Sequence, residues 1–475
     1  MLHFLHLGLE TAKLFMSDTV LYSRKLESTA SPDVLVCGAG CAGTTAAIAA
    51  ARRGASVMLI ERFGFAGGYI TGVIGASFDG WVDLRSGHPV VGGVVAEFAQ
   101  QNSGGGNEDV MSFSYSPSNE LREMRETPNR RLIRFNIEGF KRNADQMFRK
   151  AGVRVLYYTS VVDVIREGDR VTSVVIANKG GLSLIHPKQI VDCTGDADVA
   201  AYAGAPFDMS DEMQPMSLHF RMGNVKVGAT TRDDCSAAVK AAQARGELGL
   251  YGGPWIGRLE SDTEVYVNAC RSPGNGTNPV DLTNAEIKGR EDAFVMFNAF
   301  KSSVKGFEQA YLSSTGPFVG VRETRRIVGD KTLTIGDIVN STTHSDVIAL
   351  GAWWLDRHPQ GQSGYHLHEM VRPYDISYGT LLPQGIGNVW VAGRCHAADS
   401  AALASSRVTV TAMALGEAAG VAAALATTHR TDSRGLKIRT LQDDLLATGS
   451  VILDRADKVR AIGDAMTDIP KSAVR

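Results

Sequence analysis

Three kinds of hydrophobic pattern alternate along the chain, and each predicts a different element. Short uninterrupted apolar runs beside glycine, "VLVC" at 34–37 and "SVMLI" at 56–60, predict buried parallel strands. Between them "AGTTAAIAAARR" at 42–53 is built of small residues and predicts a closely packed helix. Strand, glycine turn, helix and strand fit in about thirty residues, one βαβ unit. Helical spacing returns over 137–151 ("IEGFKRNADQMFRKA"). Residues 153–193 then alternate like antiparallel strands, with turns at Gly168-Asp169 and Gly180-Gly181. From Pro206 to about residue 363 the pattern is more polar and irregular, with a strand in "EVYVNAC" and a helix over 285–300. Residues 388–426 ("NVWVAGRCHAADSAALASSRVTVTAMALGEAAGVAAALA") restore the opening order, with a helix starting near Ser405–Val408. No tandem repeat is visible.

This order predicts an α/β fold. One nucleotide-binding domain is assembled from 31–85, 130–205 and 370–430, with a substrate or cap domain inserted as 86–129 and 206–369. Residues 1–30 read as an N-terminal extension and 431–475 as a helical tail. The apolar start lacks a basic region and a cleavage signal, and Met16 offers an internal start.

Gly38, Gly40 and Gly43 form G-x-G-x-x-G directly between the first strand and its helix. The first glycine permits the tight turn, the second lets backbone approach a pyrophosphate, and the third lets the helix pack on the strand. Glu61 ends the second strand, 18 residues after Gly43, where an acid can accept hydrogen bonds from a ribose diol. Together these point to a bound dinucleotide. Gly67, Gly68 and Thr71 add a second glycine loop of a kind that FAD proteins use and nicotinamide Rossmann domains do not need.

Composition narrows the partners. Of 475 residues 44% are hydrophobic and 21% charged, with a net charge of −2, so no overall basic balance calls for nucleic acid or an anionic membrane. Six scattered cysteines without a Cys-x-x-Cys pair indicate neither a disulfide framework nor a metal site, and a cytoplasmic location is the simple reading. No membrane span is expected. A homo-oligomer is compatible with the sequence, which names no electron acceptor.

These segments, with "IVDCTGDADVAAYAGAPF", "QPMSLHFRM", "DLTNAEIKGR", "GVRETRRIVGDKTLT" and the stretch from "YDISYG" onward, resemble the FAD-dependent oxidoreductase family. That family has a glutathione-reductase-type FAD fold and is distantly related to the fumarate reductase and succinate dehydrogenase flavoproteins. The resemblance runs over residues 20–455 and implies a Rossmann-like FAD-binding domain, parallel sheet plus antiparallel β-meander, with an inserted α+β substrate domain. It further implies that Gly38, Gly40, Cys41, Ala42, Gly43, Glu61, Arg62, Gly67, Gly68 and Thr71 line the AMP and pyrophosphate end. Val162 would offer backbone to the adenine, with Gly195 and Asp196 continuing that wall. Gly393, Arg394, Asp399, Ser406, Arg407 and Val408 would surround the ribityl chain and ring. Cys41 stands where the family usually has proline, and no counterpart of the fumarate reductases' flavin-attachment histidine is found. Non-covalent FAD is therefore expected, with Cys395 or His396 as the residues that could make a covalent link.

For the chemistry, "GVRETRRIVGD" packs Arg322, Glu323, Arg325 and Arg326 together. If it is a strand, Glu323 and Arg325 share one face and Arg322 and Arg326 the other. Either one arginine clamps a substrate anion, Arg325 being the choice, or the group braces two domains. His366, His368, Arg372, Tyr374 and Tyr378 precede the last strand, and His368 or Tyr378 could serve as acid or base. His88 and His344 have no supporting motif, and Trp255, Trp353 and Trp354 read as core or pocket wall. The expected reaction is hydride transfer between a small organic substrate and flavin N5 in the direction of oxidation. Reduction of an activated double bond is the rival, and a binding module with structural FAD the alternative of another class. A monooxygenase is disfavoured, because the aromatic hydroxylases' Asp-Gly signature and a nicotinamide fingerprint are missing.

Overall fold

The computed structural model describes residues 21–75, 80, 81, 83, 90–102, 136–226, 228–230, 232–258, 263–364, 369, 371–450 and 452. The uninterrupted apolar runs pair with each other, as strands buried on both faces do. β2 (Val34–Cys37), β3 (Val57–Ile60), β4 (Arg154–Leu156), β8 (Gln189–Asp192) and β17 (Val389–Val391) form a parallel sheet in the order β17-β8-β2-β3-β4. Helix α1 (Cys41–Ala51) crosses from β2 to β3 and packs on α9 (Thr409–His429). Their small residues let the backbones touch: a Cβ on Gly416 would overlap the Ala42 carbonyl, and one on Gly420 the Ala46 carbonyl. Thr45 Oγ1 also donates across the seam to the Met413 carbonyl at 2.6 Å. Among the described helices α9 alone is long and apolar enough to cross a membrane, yet 89% of its apolar window is buried inside the protein, which accounts for its composition.

The alternating segment forms the meander β5 (Ser160–Glu167), β6 (Arg170–Asn178) and β7 (Gly181–Ile185), with turns at the expected glycines. β1 (Glu27–Ala30) adds to β7 in parallel, so residues 27–30 belong to this sheet rather than to a separate extension. Helix α2 (Gly93–Asn102) and helix α3 (Ile137–Ala151) cover the far side of α1. α3 is capped by Asn136 and stopped by left-handed Gly152.

The insert has its own core, from Met216 to Val319. There β10 (His219–Gly223), β11 (Tyr251–Arg258), β12 (Glu264–Cys270) and β13 (Tyr311–Thr315) run antiparallel in the order β11-β12-β10-β13. α5 (Arg232–Ala244) and α6 (Pro279–Ser303) pack on them. α6 is longer than the 285–300 expected, because Asn278 accepts from the Val280 and Asp281 N–H groups and Pro279 suits the first turn.

The insert ends earlier than its expected limit at 369. Hairpin β15 (Val347–Gly351)–β16 (Tyr374–Ser377) and α7 (Ile335–Asn340) bury Ile338, Val347–Leu350 and Leu355 in the nucleotide-domain core. α10 (Ile438–Ala447) adds Leu441 and Leu445 to the same core. The two-residue strands β9 (Phe207–Asp208) and β14 (Arg326–Ile327) pair at the junction, near α4 (Asp198–Tyr202).

An ionisable acid lies inside this core. Glu417, in α9, is 2% exposed, and its two carboxylate oxygens accept from the Val94 N–H at 3.2 and 3.1 Å, at the start of α2. Burial pushes its carboxyl from an ordinary 4.5 up to about 7, against the opposing pull of the Val94 bond and Arg53. The folded state thus binds the proton more tightly, so this contribution to stability is full below pH 4.5 and lost as pH rises through about 7. From pH 5 to 8 the wild type should lose roughly 3 kcal/mol relative to Glu417→Gln in paired urea melts. Equal pH slopes for the two proteins would refute this.

Candidate active site

The glycine loop is tied down by its own neighbours. Gly38 has φ 96°, and a Cβ there would come within 2.5 Å of the Cys193 carbonyl oxygen. Gly43 faces back onto Gly38, whose carbonyl oxygen a Cβ would overlap. Gly40 caps α1 with no side-chain bond, and only Gly68 Cα, at 4.0 Å, lies near its would-be Cβ. Glu61, 7% exposed, accepts from Ala39 N at 2.6 Å and Phe63 N at 3.0 Å. Burial raises its carboxyl pKa, opposed by those backbone bonds and by Arg62. Gly67 N donates to the Ala39 carbonyl at 2.8 Å, Cys41 Sγ to the Gly67 carbonyl at 3.6 Å, and Thr71 Oγ1 to the Ala66 carbonyl at 2.6 Å. The two glycine loops therefore form one cradle at the start of α1, whose N-cap residue Gly40 has no side chain to cap it. Ala42 lies in that first turn, and exposed Arg62 lies over the Phe63 ring, 4.9 Å from its centroid.

Val162 sits where the β5–β6 register shifts between Val161 and Asp163, a bulge that takes its backbone out of regular pairing. Asp196 accepts from Arg394 Nη2 at 2.8 Å and Thr324 Oγ1 at 2.7 Å. Burial would raise its carboxyl pKa, but the Arg394 charge and these bonds outweigh it and hold it low. A Cβ on Gly195 would meet Arg394 Nη2 at 3.0 Å, and one on Gly393 would meet Ala42 Cβ at 3.2 Å.

The expected helix near Ser405 is two helices, α8 (Ser400–Ser406) and α9, broken at Arg407–Val408. Asp399 caps α8 through Ala402 N at 2.7 Å and also accepts from Ile335 N at 2.7 Å. Ser406 Oγ lies 2.9 Å from His396 Nε2. Cys395 packs in an apolar cluster with Cys37 and Ile190, and burial holds its thiol pKa far above the ordinary value. Val408 caps α9 without a side-chain hydrogen bond, and Thr409, Val410 and Thr411 are all buried. Thr411 Oγ1 has no hydrogen-bond partner among the described residues. The N–H groups and positive dipole end of a buried helix start favour an anionic ligand. Two such starts, those of α1 and α9, in helices packed on each other, suit an elongated dinucleotide.

Beside the α9 start lies a polar cluster. Arg407 donates through Nη2 to the Asp356 carbonyl at 2.7 Å, and Asp356 Oδ2 is 3.2 Å from His358 Nε2. Arg271 donates to Ser217 Oγ, to Asn268 Oδ1 at 3.1 Å and to the Cys270 carbonyl at 2.9 Å, and lies over the Trp255 ring. Arg322 donates to the Pro215 carbonyl at 2.6 Å and to Ser217 Oγ at 2.9 Å. Burial lowers the pKa of all three arginines and of His358, and burial with the arginine charges keeps His219 neutral. Tyr69, which follows Gly68, stacks edge-on with His219 at 5.8 Å and is 36% exposed, so the cluster meets solvent there.

Sequence reasoning missed Arg271, Asp356, His358 and Tyr69. His219 and Arg322 lay within quoted segments. The strand alternation expected of "GVRETRR" is not what forms, because only Arg326 and Ile327 are in a strand. Glu323 pairs instead with Arg326 at 2.5 Å, three residues on. Arg325 donates to the Asp196 carbonyl at 2.6 Å and pairs with Asp198, so it braces the junction. Tyr378 is 6% exposed, donates to the Ser433 carbonyl at 2.8 Å and accepts from Trp390 Nε1 at 2.8 Å, so its hydroxyl is engaged in the core. Tyr374 is buried against Ser405 at 2.7 Å, and His344 Nε2 is 3.8 Å from Asp337. His88, His366 and His368 lie outside the described residues.

No curated protein matches the sequence. Among solved structures, a geranylgeranyl bacteriochlorophyll reductase-like protein from Thermoplasma acidophilum is similar at 14% identity and TM-score 0.46, over 94% of each chain. The flavin-dependent brominase Bmp2, as a triple mutant, is similar at 13% identity and TM-score 0.44, over 93% of this chain and 96% of that one. The p-nitrophenol 4-monooxygenase of Pseudomonas putida follows at 12% and 0.39, over 94% and 92%. The model of the family described as FAD dependent oxidoreductase matches residues 33–445, a span that takes in both the cradle and the start of α9. The chain belongs to the FAD dependent oxidoreductase family, and the dinucleotide is FAD.

Proposed function

We propose that this enzyme holds FAD non-covalently between the glycine cradle and the start of α9, and oxidises a small organic substrate by hydride transfer to flavin N5. Bound FAD supplies the hydride-accepting chemistry. The observation that carries the reading is the buried start of α9, whose cap residue Val408 makes no side-chain hydrogen bond, flanked by the polar cluster. Its N–H groups and helix dipole stabilise negative charge placed beside them. Trp255 packs edge-on against His358 at 5.6 Å and beneath Arg271, and the hydrogen-bonded Asp356–His358 pair can hold a proton between Oδ2 and Nε2. Six free cysteines are in keeping with a reducing cytoplasmic compartment.

Visible absorption of the purified protein, repeated after acid precipitation, tests the cofactor: flavin bands released to the supernatant are expected, and colour kept in the pellet would mean a covalent link. Anaerobic bleaching by candidate substrates tests the reaction. A flavin that is only reoxidised, by an activated alkene, would reverse the direction, and one that does neither would be structural.

Thr409→Pro tests the start of α9. Proline suits the first helical position, and Val408 (φ −67°, ψ 162°) already has the extended backbone that a following proline prefers. The fold and the flavin should survive while one N–H is lost. At roughly 1.5–3 kcal/mol for a hydrogen bond to a charged group, the two-electron potential should fall by roughly 30–60 mV. An unchanged potential would count against a role for this helix.

A further inference from the structure

We infer that the substrate is a small organic carboxylate, held by the guanidinium groups of Arg322, Arg271 and Arg407 where insert and nucleotide domain meet. This rests on the proposed oxidoreductase reading and names the class of molecule that its site would take.

The first argument is charge. The three arginines act on one another, and the described acid that acts on all three is Asp356. Glu323 also acts on Arg407, but it is paired at 2.5 Å with Arg326. Three cations against one acid leave an excess of positive charge among the described residues of a largely buried site. Such charge is costly unless an anion compensates it.

The second argument is unmet hydrogen bonding. Arg271 Nη2 and Arg407 Nη1 are buried and have no hydrogen-bond partner among the described residues. Arg271 is 3% exposed, and the Arg407 side chain 8%. The protein's own bonds hold each guanidinium in place without using all its donors: Ser217 Oγ takes one from both Arg271 and Arg322, and the Asp356 carbonyl takes one from Arg407. Planar forks with donors to spare match the two oxygens of a carboxylate.

The third argument is location. Arg322 and Arg407 are only partly buried, and Tyr69 opens the cluster to solvent. Tyr69 continues the second glycine loop and Arg407 immediately precedes α9, so each of the two proposed FAD-holding elements sends one side chain to the same cluster. An anion bound there would lie next to the cofactor.

The test uses the FAD-loaded full chain. Acetate, succinate and benzoate are titrated against the matched amides acetamide, succinamide and benzamide, with inorganic phosphate as a further arm, and the flavin absorption spectrum is read. At least one carboxylate should give a saturable spectral shift, with its amide binding at least ten times more weakly. Arg322→Met should weaken that carboxylate at least thirtyfold and Arg322→Lys less than tenfold, both with FAD retained. If Arg322→Met fails to keep FAD, the comparison of acid with amide on the wild type decides alone. No response to any carboxylate, equal response to the amides, unchanged affinity in a loaded Arg322→Met, or phosphate binding tighter than every carboxylate would overturn the proposal. Bleaching by a neutral substrate without any carboxylate effect would sink the carboxylate and leave the oxidoreductase reading. Carboxylate binding to a flavin that no compound reduces or reoxidises would sink that reading instead.

Discussion

Gly43→Ala should purify without flavin. A Cβ at Gly43 overlaps the Gly38 carbonyl oxygen and meets Cys193 Cβ at 3.2 Å. The obstacle is backbone, so no side-chain rotation relieves it, and α1 has to back away from β2. That displaces the N–H groups at the start of α1, which hold the pyrophosphate in the proposed site. Overpacking of this kind costs roughly 1–3 kcal/mol or more. A hundredfold loss of FAD affinity corresponds to about 2.7 kcal/mol, so a fall of that size is expected in fluorescence titration of the apo-protein. Gly336→Ala is the control: it lies in α7, the nearest atom to its would-be Cβ is Thr334 Oγ1 at 3.5 Å, and flavin binding should be unchanged. Wild-type affinity in Gly43→Ala would show that the loop does not hold the cofactor as proposed.

Gly416→Ala should destabilise the whole domain. Helix propensity by itself favours alanine by ~1 kcal/mol. Against that, the new Cβ would overlap the Ala42 carbonyl oxygen and come 2.6 Å from its carbon, both in the backbone of α1. The α1–α9 seam would have to open along its length, because Gly420 meets Ala46 in the same way one turn later. The overlap outweighs the propensity, and a net loss of roughly 2 kcal/mol or more is expected in urea melts of the apo-protein. Because Gly416 follows the start of α9 by two turns, flavin affinity should fall too. A variant as stable as the wild type would mean that the helices are not in the contact described.

Most of the nucleotide domain was legible because its signals are local. A glycine turn between a buried strand and a small-residue helix reports on residues that touch their near neighbours in sequence. Gly38, Gly40, Gly43 and Glu61 therefore fall together on β2, α1 and β3 as their spacing implies. The meander was legible for the same reason, since alternation and turn glycines set its register. The edge strand β1 was not, because its partner β7 lies more than a hundred residues away.

The polar cluster could not be read in this way. Arg271 and Arg322 come from the insert, while Asp356, His358 and Arg407 come from segments that pack with the nucleotide domain, and only the docking of the two brings them together. Tertiary context also decided among neighbours in one motif: Arg322 enters the cluster while Arg325, three positions on, is taken up by Asp196 and Asp198. Tyr378, which the sequence offers as an acid or base before the last strand, is locked to Ser433 and Trp390. The sequence by itself determined the parallel sheet, the glycine cradle and the acid beside it, since these follow from short-range sterics and periodicity. Which charges share a buried site, and which are spent on bracing it, was decided only by the tertiary structure, because burial and pairing depend on what packs from the other domain.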